Sequence, residues 1–193
     1  MDTADLDYEL PPDRIAQHPI EPRDAARLLV APAGGPVAHR TVADLPGLLQ
    51  AGDVLLVNDT RVIPARLHLH KATGGAVEVL LLERRPEGHW EALVRPSRRV
   101  PEGTLLRSDA PAAAELTVEV GGTLGDDGRR AVTVHGGTDD DLAVLAQVGE
   151  VPLPPYIHEP LTDPERYQTV YARHPGSVAA PTAGLHLTDA VLE

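Results

Sequence analysis

A chain of 193 residues with 42% hydrophobic side chains can bury a core as one large or two small domains, although aromatic residues are only 3%. The absence of Cys excludes disulfides, Cys-ligated zinc and thiol nucleophiles, and no apolar run is long enough to cross a bilayer. The net charge of −12 argues against non-specific nucleic-acid binding, because phosphate backbones attract Lys and Arg. Since the first residues are acidic, unlike a signal or transit peptide, we expect a soluble cytoplasmic protein without membrane contact.

The first sixty residues predict short elements followed by one buried strand. Residues 24–30 fit either a strand or a short helix, and residues 41–49 read as a short helical turn broken at Pro46. Residues 54–57, VLLV, form a continuous apolar run that is typical of a fully buried strand. Asn58, Asp59, Thr60 and Arg61 follow at once, so polar groups are expected at the carboxyl end of that strand.

The sequence pattern in the middle of the chain is typical of an antiparallel β structure. Short runs of β-forming residues recur at 77–82, 90–94, 116–120 and 131–135, and Gly-rich turns separate them. Regularly spaced strands with such turns predict a small barrel or sandwich. Residues 139–147, DDDLAVLAQ, then predict a helix with acidic residues in its first turn.

The last forty residues combine a rigid connector with a run of small side chains. After the connector at residues 152–155, Asp163 and Pro164 predict the start of a helix-like piece that extends over 166–173. Residues 177–184, SVAAPTAG, are almost all small, which lets a ligand approach the backbone closely. From composition alone, a Gly/Pro-rich turn between two helices is the favoured alternative.

These elements predict an α/β domain with an inserted small antiparallel β-barrel. We assign residues 1–60 and 150–193 to the α/β domain and residues 61–149 to the barrel. The charge is uneven as well: residues 61–107 carry 9 basic and 5 acidic side chains, or +4, whereas residues 108–165 carry 2 and 12, or −10. The basic segment suits a local phosphate-binding face. Without further information, an ordinary strand surface with solvated Arg side chains is the better interpretation.

Five ordered blocks of sequence decide between these alternatives. The chain resembles the S-adenosylmethionine:tRNA ribosyltransferase-isomerases of queuosine biosynthesis in LDYELPPDRIAQHPIEPRDAARLL (6–29), GDVLLVNDTRVIPARL (52–67), KATGGAVEVLLLE (71–83), PLPPYI (152–157) and RYQTVYARHPGSVAAPTAGLHLT (166–188). The resemblance implies the same arrangement of an α/β domain and a barrel. Members of that family exceed three hundred residues, so it also implies that the α/β domain is incomplete here.

The resemblance implies a transferase-isomerase enzyme of tRNA modification. In the family's reaction, S-adenosylmethionine donates its ribosyl carbons to the aminomethyl group of a deazaguanine wobble base in tRNA. Epoxyqueuosine forms, and adenine and methionine leave. The sulfonium acidifies the neighbouring carbon and makes a good leaving group, so the protein has to supply a base, hold the ribose and exclude water. S-adenosylmethionine is a co-substrate, and we expect no metal, no further cofactor and a monomer when complete.

Candidate site residues fall into three groups. His186, an imidazole that titrates near working pH, and Asp59 are the catalytic candidates. A merely hydrogen-bonded His186 is an equal alternative. For Asp59 and Arg61, the less favoured alternative is that they pair with each other and fix the domain junction. The substrate-binding candidates are Asn58, Thr60, Arg61, Arg166, Tyr167, Gln168, Ser177, Thr182 and Gly184, and the tRNA-binding candidates are Arg66, Arg95, Arg98 and Arg99.

Two further expectations follow from the chain's length. A truncated or split-half member of the family, acting as a tRNA or ligand binding module without catalysis, is the alternative function. The chain alone is expected to expose apolar surface around residues 54–57 and to lack turnover. His68 and His70 lie on one face of a predicted strand, but two ligands without a third are more often surface residues than a metal site.

Overall fold

A computed structural model describes residues 2–110, 115–136 and 140–193. The chain forms two compact units, one of Met1–Asp53, Leu153–Thr162 and His186–Glu193, and the other of Val54–Pro152 and Asp163–Leu185. The domain limits predicted from the sequence, near residues 60 and 150, stay a prediction.

The elements of the described ranges follow one another in the chain as short strands and helical turns. The strands are β1 (Arg27–Val30), β2 (Ala38–Thr41), β3 (Thr60–Val62), β4 (Arg66–Lys71), β5 (Ala76–Arg84), β6 (Trp90–Arg95), β7 (Thr104–Arg107), β8 (Thr117–Leu124), β9 (Arg129–His135) and β10 (His174–Ser177). The α-helices are α1 (Asp141–Val148) and α2 (Asp189–Leu192). Short 3₁₀ segments lie at Thr3–Leu6, Pro12–Arg14, Arg23–Ala25, Val42–Leu48, Ser97–Arg99, Pro164–Tyr167 and Gly184–His186.

The first unit is built around the antiparallel pair β1 and β2. The 3₁₀ segment Val42–Leu48 follows, and its start is fixed by Asp44, whose carboxylate accepts hydrogen bonds from the Thr41 backbone N–H at 2.8 Å and the Thr41 hydroxyl at 3.0 Å. The backbone bond is the larger cause that lowers the pKa of Asp44. The helical turn is confirmed, but the predicted break at Pro46 is wrong, because a proline in a 3₁₀ turn omits one donor without ending the segment.

The second unit contains a closed barrel of six antiparallel strands in the order β4, β5, β6, β9, β8 and β7, in which β7 pairs back onto β4. The inserted antiparallel barrel predicted from the sequence is therefore confirmed. Along each strand, apolar side chains alternate into a core built from Val, Leu, Ala and Trp90. On β7, for example, Leu106 is 0% exposed whereas its neighbour Leu105 is 49% exposed.

Helix α1 packs on this core through Val144 and Leu145. Asp140 is its N-cap, since its carboxylate accepts from the backbone N–H groups of the first turn. Asp141 accepts a hydrogen bond from the indole N–H of Trp90 at 2.9 Å and lies 3.2 Å from Nε of Arg84. The predicted helix is thus confirmed from Asp141 onward, while Asp139 lies outside the described residues.

Two elements predicted from the sequence differ in the structure. Residues 54–57 form no strand, and Val54 and Leu56 are 90% and 93% exposed. An apolar run becomes a buried strand only where neighbouring strands pair with it, and no described segment does so. The exposed apolar surface expected there is confirmed. The helix expected over 166–173 ends at Tyr167, because Gln168 is extended and its side chain bonds to a strand.

A network around the buried carboxylate of Glu91 in β6 joins the residue that follows β5, Arg85, to Arg129 of β9. Glu91 accepts a hydrogen bond from Nε of Arg85 at 2.7 Å and from Nη1 of Arg129 at 2.6 Å. The bond from Arg85 is the largest cause that lowers the pKa of Glu91 below its ordinary value of 4.5, and Arg129 adds to it. The charged form of Glu91 therefore stabilises the barrel.

Leu106→Ala should destabilise the chain by about 2–5 kcal/mol, because a fully buried side chain leaves a cavity. Leu105→Ala, the same change one residue away on the exposed face, should cost no more than about 0.5 kcal/mol. Urea unfolding of both variants measures the difference. Equal losses would mean that β7 does not present these faces as described.

Acid stability should depend on Glu91. A carboxyl whose pKa is lowered by folding contributes stability above its unfolded pKa, and this contribution is lost as the pH falls through the folded pKa. Glu91→Gln should therefore unfold more easily at pH 7 and lose less additional stability than the parent as the pH falls from 5 into the acid range. Thermal unfolding across pH measures both, with Glu87→Gln in an exposed turn as the matched control.

Candidate functional site

The site forms where β10 lies parallel to β3 in the second unit. His174 faces Thr60 and Ser177 faces Val62 across the pair, and the N–H of Ile63 donates to the carbonyl of Ser177 at 2.9 Å. The register shifts between Pro175 and Ser177, where Gly176 has a φ of +142°, a conformation that L side chains rarely adopt. The polar segment 58–61 and the start of the small-residue segment 177–184 therefore adjoin.

The side-chain amide of Gln168 forms the two hydrogen bonds with the β3 backbone that a neighbouring strand would form. Gln168 is buried; its Oε1 accepts from the N–H of Val62 at 2.9 Å, and its Nε2 donates to the carbonyl of Val62 at 2.9 Å. Two hydrogen bonds to one residue reproduce the pattern of a β-ladder. Gln168 therefore fixes the position of β3, and a contact with substrate stays a prediction.

Each charged residue of the 58–61 segment has a partner from the returning chain. Asp59 Oδ2 lies 3.0 Å from Nδ1 of His174, and the Asp59 carbonyl accepts from the N–H of Arg173 at 2.8 Å. Arg61 forms an ion pair with Glu165. The alternative in which Asp59 and Arg61 pair with each other is therefore wrong. Sequence reasoning missed His174 and Glu165, because more than a hundred residues separate them from their partners and no spacing signal links them.

Two small polar groups complete this segment. The Asn58 side-chain oxygen accepts from the N–H of Thr60 at 2.9 Å, which closes a tight turn before β3. The Thr60 hydroxyl oxygen is buried and has no hydrogen-bond partner among the described residues. An unsatisfied buried hydroxyl costs free energy, so it marks a position where a ligand or water atom would be stabilising.

The small-residue segment is anchored at both ends. The Ser177 hydroxyl donates to the carbonyl of Ala179 at 2.7 Å, so this hydroxyl is used within the loop, whereas Thr182 is exposed. Gly184 is buried against the ring of Tyr171, and a methyl group there would overlap the Tyr171 hydroxyl. Burial raises the pKa of that hydroxyl. Close packing explains why this position carries Gly.

The other predicted site residues lie in different settings. Tyr167 is buried, and Arg166 is half-buried at the end of the same 3₁₀ segment. His186 is exposed and belongs to the first unit. The roles predicted for these residues stay predictions.

The predicted tRNA-binding arginines lie on or beside the barrel. Arg66 Nε is 4.0 Å from Glu78 Oε2, and Arg95 is the cross-strand partner of Glu78. Arg98 and Arg99 are exposed on the 3₁₀ segment Ser97–Arg99.

The histidines of β4 pair with separate carboxylates. His68 Nε2 is 3.2 Å from Glu150, and His70 Nδ1 is 3.2 Å from Asp109. Within the described ranges, no three His, Cys, Asp or Glu side chains are grouped so that they could hold a metal ion. Likewise, no helix in those ranges is long and apolar enough to span a membrane.

Comparison with known proteins identifies the family. A sequence model of the family described as "Queuosine biosynthesis protein" matches residues 3–193. The chain is 53% identical to an S-adenosylmethionine:tRNA ribosyltransferase-isomerase of Thermus thermophilus, over 97% of this chain and 54% of the relative. A relative of the same name from Moorella thermoacetica is 52% identical, over 100% and 56%. The chain therefore belongs to the family of queuosine biosynthesis proteins, which confirms the resemblance.

A solved structure is also similar to the chain. The crystal structure of S-adenosylmethionine tRNA ribosyltransferase from Thermotoga maritima is 34% identical, with a TM-score of 0.38, over 96% of this chain and 51% of that chain. The chain spans about half the length of the curated relatives it matches.

Gly184→Ala should destabilise the chain by about 1–3 kcal/mol, because the new methyl group overlaps the Tyr171 hydroxyl. Tyr171→Phe removes that oxygen, so the double variant should recover part of the loss, while the 3.2 Å approach to Thr169 Cγ2 remains. Thermal unfolding of the four proteins gives the coupling. Additive effects would contradict the contact.

Proposed function

We propose that the complete protein transfers the ribosyl moiety of S-adenosylmethionine to the aminomethyl-deazaguanine wobble base of tRNA and forms epoxyqueuosine. The observation that carries the proposal is the family match over residues 3–193, together with about 50% identity to relatives named S-adenosylmethionine:tRNA ribosyltransferase-isomerase. The proposal includes a transferase-isomerase activity, a cytoplasmic location and a monomeric complete protein.

The proposed chemistry needs a base, a hold on the ribose and a place for the leaving groups. The sulfonium acidifies the hydrogen on the carbon beside sulfur, and a base that removes this proton starts the rearrangement. As the carbon–sulfur bond and the bond to adenine break, the ribosyl carbons become attached to the aminomethyl nitrogen and close the epoxy-cyclopentane ring. Methionine leaves as the neutral thioether, and adenine takes up a proton as it leaves. The sulfonium supplies the activation, so the proposal requires neither a metal nor a further cofactor.

We assign the base to His186 and place Asp59 against the ribose. The Asp59 carboxylate is partly exposed and is oriented by His174 at 3.0 Å, an arrangement that suits acceptance of hydrogen bonds from ribose hydroxyls. Thr60 and Arg61 follow Asp59 as the first residues of β3, and the buried hydroxyl of Thr60 has no hydrogen-bond partner among the described residues. Asn58, Ser177, Thr182 and Gly184 would line the substrate, with Arg166, Tyr167 and Gln168 beside it.

The direct test is adenine release by a protein completed to the length of its relatives, through fusion to the remaining part of the Thermus thermophilus relative. Adenine should appear only with both S-adenosylmethionine and tRNA that carries the aminomethyl-deazaguanine base. tRNA with an ordinary guanine at the wobble position is the control. Release that does not depend on the modified base would contradict the proposed acceptor. The 193-residue chain is assayed in parallel.

In the completed protein, His186→Gln and Asp59→Asn should each lower kcat by about 10²–10⁴, the usual contribution of a positioned acid or base. His39→Gln, an exposed histidine of the first unit, and Asp126→Asn, in an exposed turn, are the matched controls. Single-turnover adenine release measures the chemical step. A His186→Gln rate equal to that of the parent would remove His186 from the base role.

A further inference from the structure

Three separate stretches of the chain meet where the barrel closes. Strand β4 pairs with β7, which places His70 opposite Arg107 and Lys71 opposite Leu106. Lys71 Nζ donates to the backbone carbonyl of Arg99 at 3.1 Å. This bond ties the 3₁₀ segment Ser97–Arg99 to the end of β4, and Arg107 lies on the neighbouring strand β7.

The arginines at this edge differ from those elsewhere on the barrel. Arg98, Arg99 and Arg107 are exposed, and in the described part of the chain none of the three forms an ion pair. By contrast, Arg84 faces Asp141, and Arg85 and Arg129 bind Glu91. Close to Arg107 in the chain, Asp109 lies 3.2 Å from His70.

A protein with a net charge of −12 has abundant carboxylates to neutralise its arginines. In the described part of the chain these exposed guanidinium groups have no carboxylate partner, so a bound anion would supply the countercharge that they lack. Exposed charges are screened beyond about 8 Å at physiological salt, so this edge can attract an anionic polymer despite the net charge. Guanidinium groups bind phosphate through two parallel hydrogen bonds.

We propose that Lys71, Arg98, Arg99 and Arg107, together the cationic rim, bind the phosphate backbone of the tRNA substrate. The inference rests on the proposed function for the identity of the RNA, and it adds Lys71 and Arg107 to the arginines singled out from the sequence. Within this surface Arg98, Arg99 and Arg107 contact phosphates, and Lys71 also holds the Arg99 segment in place. Arg66 and Arg95 contribute less, because both are beside Glu78.

The test uses the 193-residue chain, a tRNA transcript without modified bases, and binding measured between 50 and 200 mM salt. The triple variant R98E/R99E/R107E should weaken binding by about tenfold or more and lower the slope of log affinity against log salt by about 2, because fewer counterions are released. The triple variant R14E/R27E/R40E, with the same change in net charge on exposed arginines of the first unit, is the control and should change affinity by less than about threefold. Circular dichroism checks that both variants fold.

Each outcome decides the inference. Equal effects of the two triple variants, an unchanged salt slope for R98E/R99E/R107E, or no tRNA binding by the parent chain would overturn the cationic rim. R66E/R95E should weaken binding less than R98E/R99E, and the reverse order would contradict the assignment. Rim-dependent tRNA binding together with no adenine release by the completed protein would reject the proposed function and leave the rim standing. If the completed protein releases adenine and the rim variant still binds tRNA normally, the proposed function stands and the cationic rim is rejected.

Discussion

The barrel is an insertion, and the second unit depends on bringing the two ends of that insertion together. The chain leaves β3 at Val62, builds six strands and returns. Arg66 and Glu150 exchange both backbone hydrogen bonds at the base of the barrel, at 3.1 and 2.9 Å, and the Gln168 amide bonds to Val62 in both directions. Gly149 lies so close to the Pro64 carbonyl that no side chain fits there. Buried backbone groups that would otherwise lack partners are satisfied by this closure.

The same closure arranges the candidate site. Because β10 runs beside β3, His174 reaches Asp59, and the 3₁₀ segment Pro164–Tyr167 places Glu165 beside Arg61. The charged groups are therefore held by residues that follow the barrel in the chain, and their geometry depends on the fold rather than on local sequence. The Thr60 hydroxyl is the buried polar group of this strand that the described chain leaves without a partner. The charged side chains of Asp59 and Arg61 thus have partners, whereas the neighbouring Thr60 hydroxyl has none among the described residues, and a polar ligand atom could form that hydrogen bond.

The barrel was largely predictable, because period-2 burial of Val and Leu is a local signal. β5, β6, β8 and β9 all fall on predicted runs. Strand β7 was missed, since its four residues, TLLR, are too few to show alternation. Residues 54–57 were taken for a buried strand because an apolar run carries no information about whether a pairing partner is present. The helix expected over 166–173 failed since the Gln168 bonds to Val62 override local propensity.

The sequence by itself determined the family and the inserted antiparallel barrel, because ordered motifs and hydrophobic alternation are properties of the linear chain. Only the tertiary structure decided the partners: His174 for Asp59, Glu165 for Arg61, and Val62 for Gln168. Among the described residues, it also decided which arginines have a carboxylate partner and which do not. These are pairings between residues far apart in the chain, and the distance between two such side chains is set by strand register and barrel closure, which no local pattern encodes.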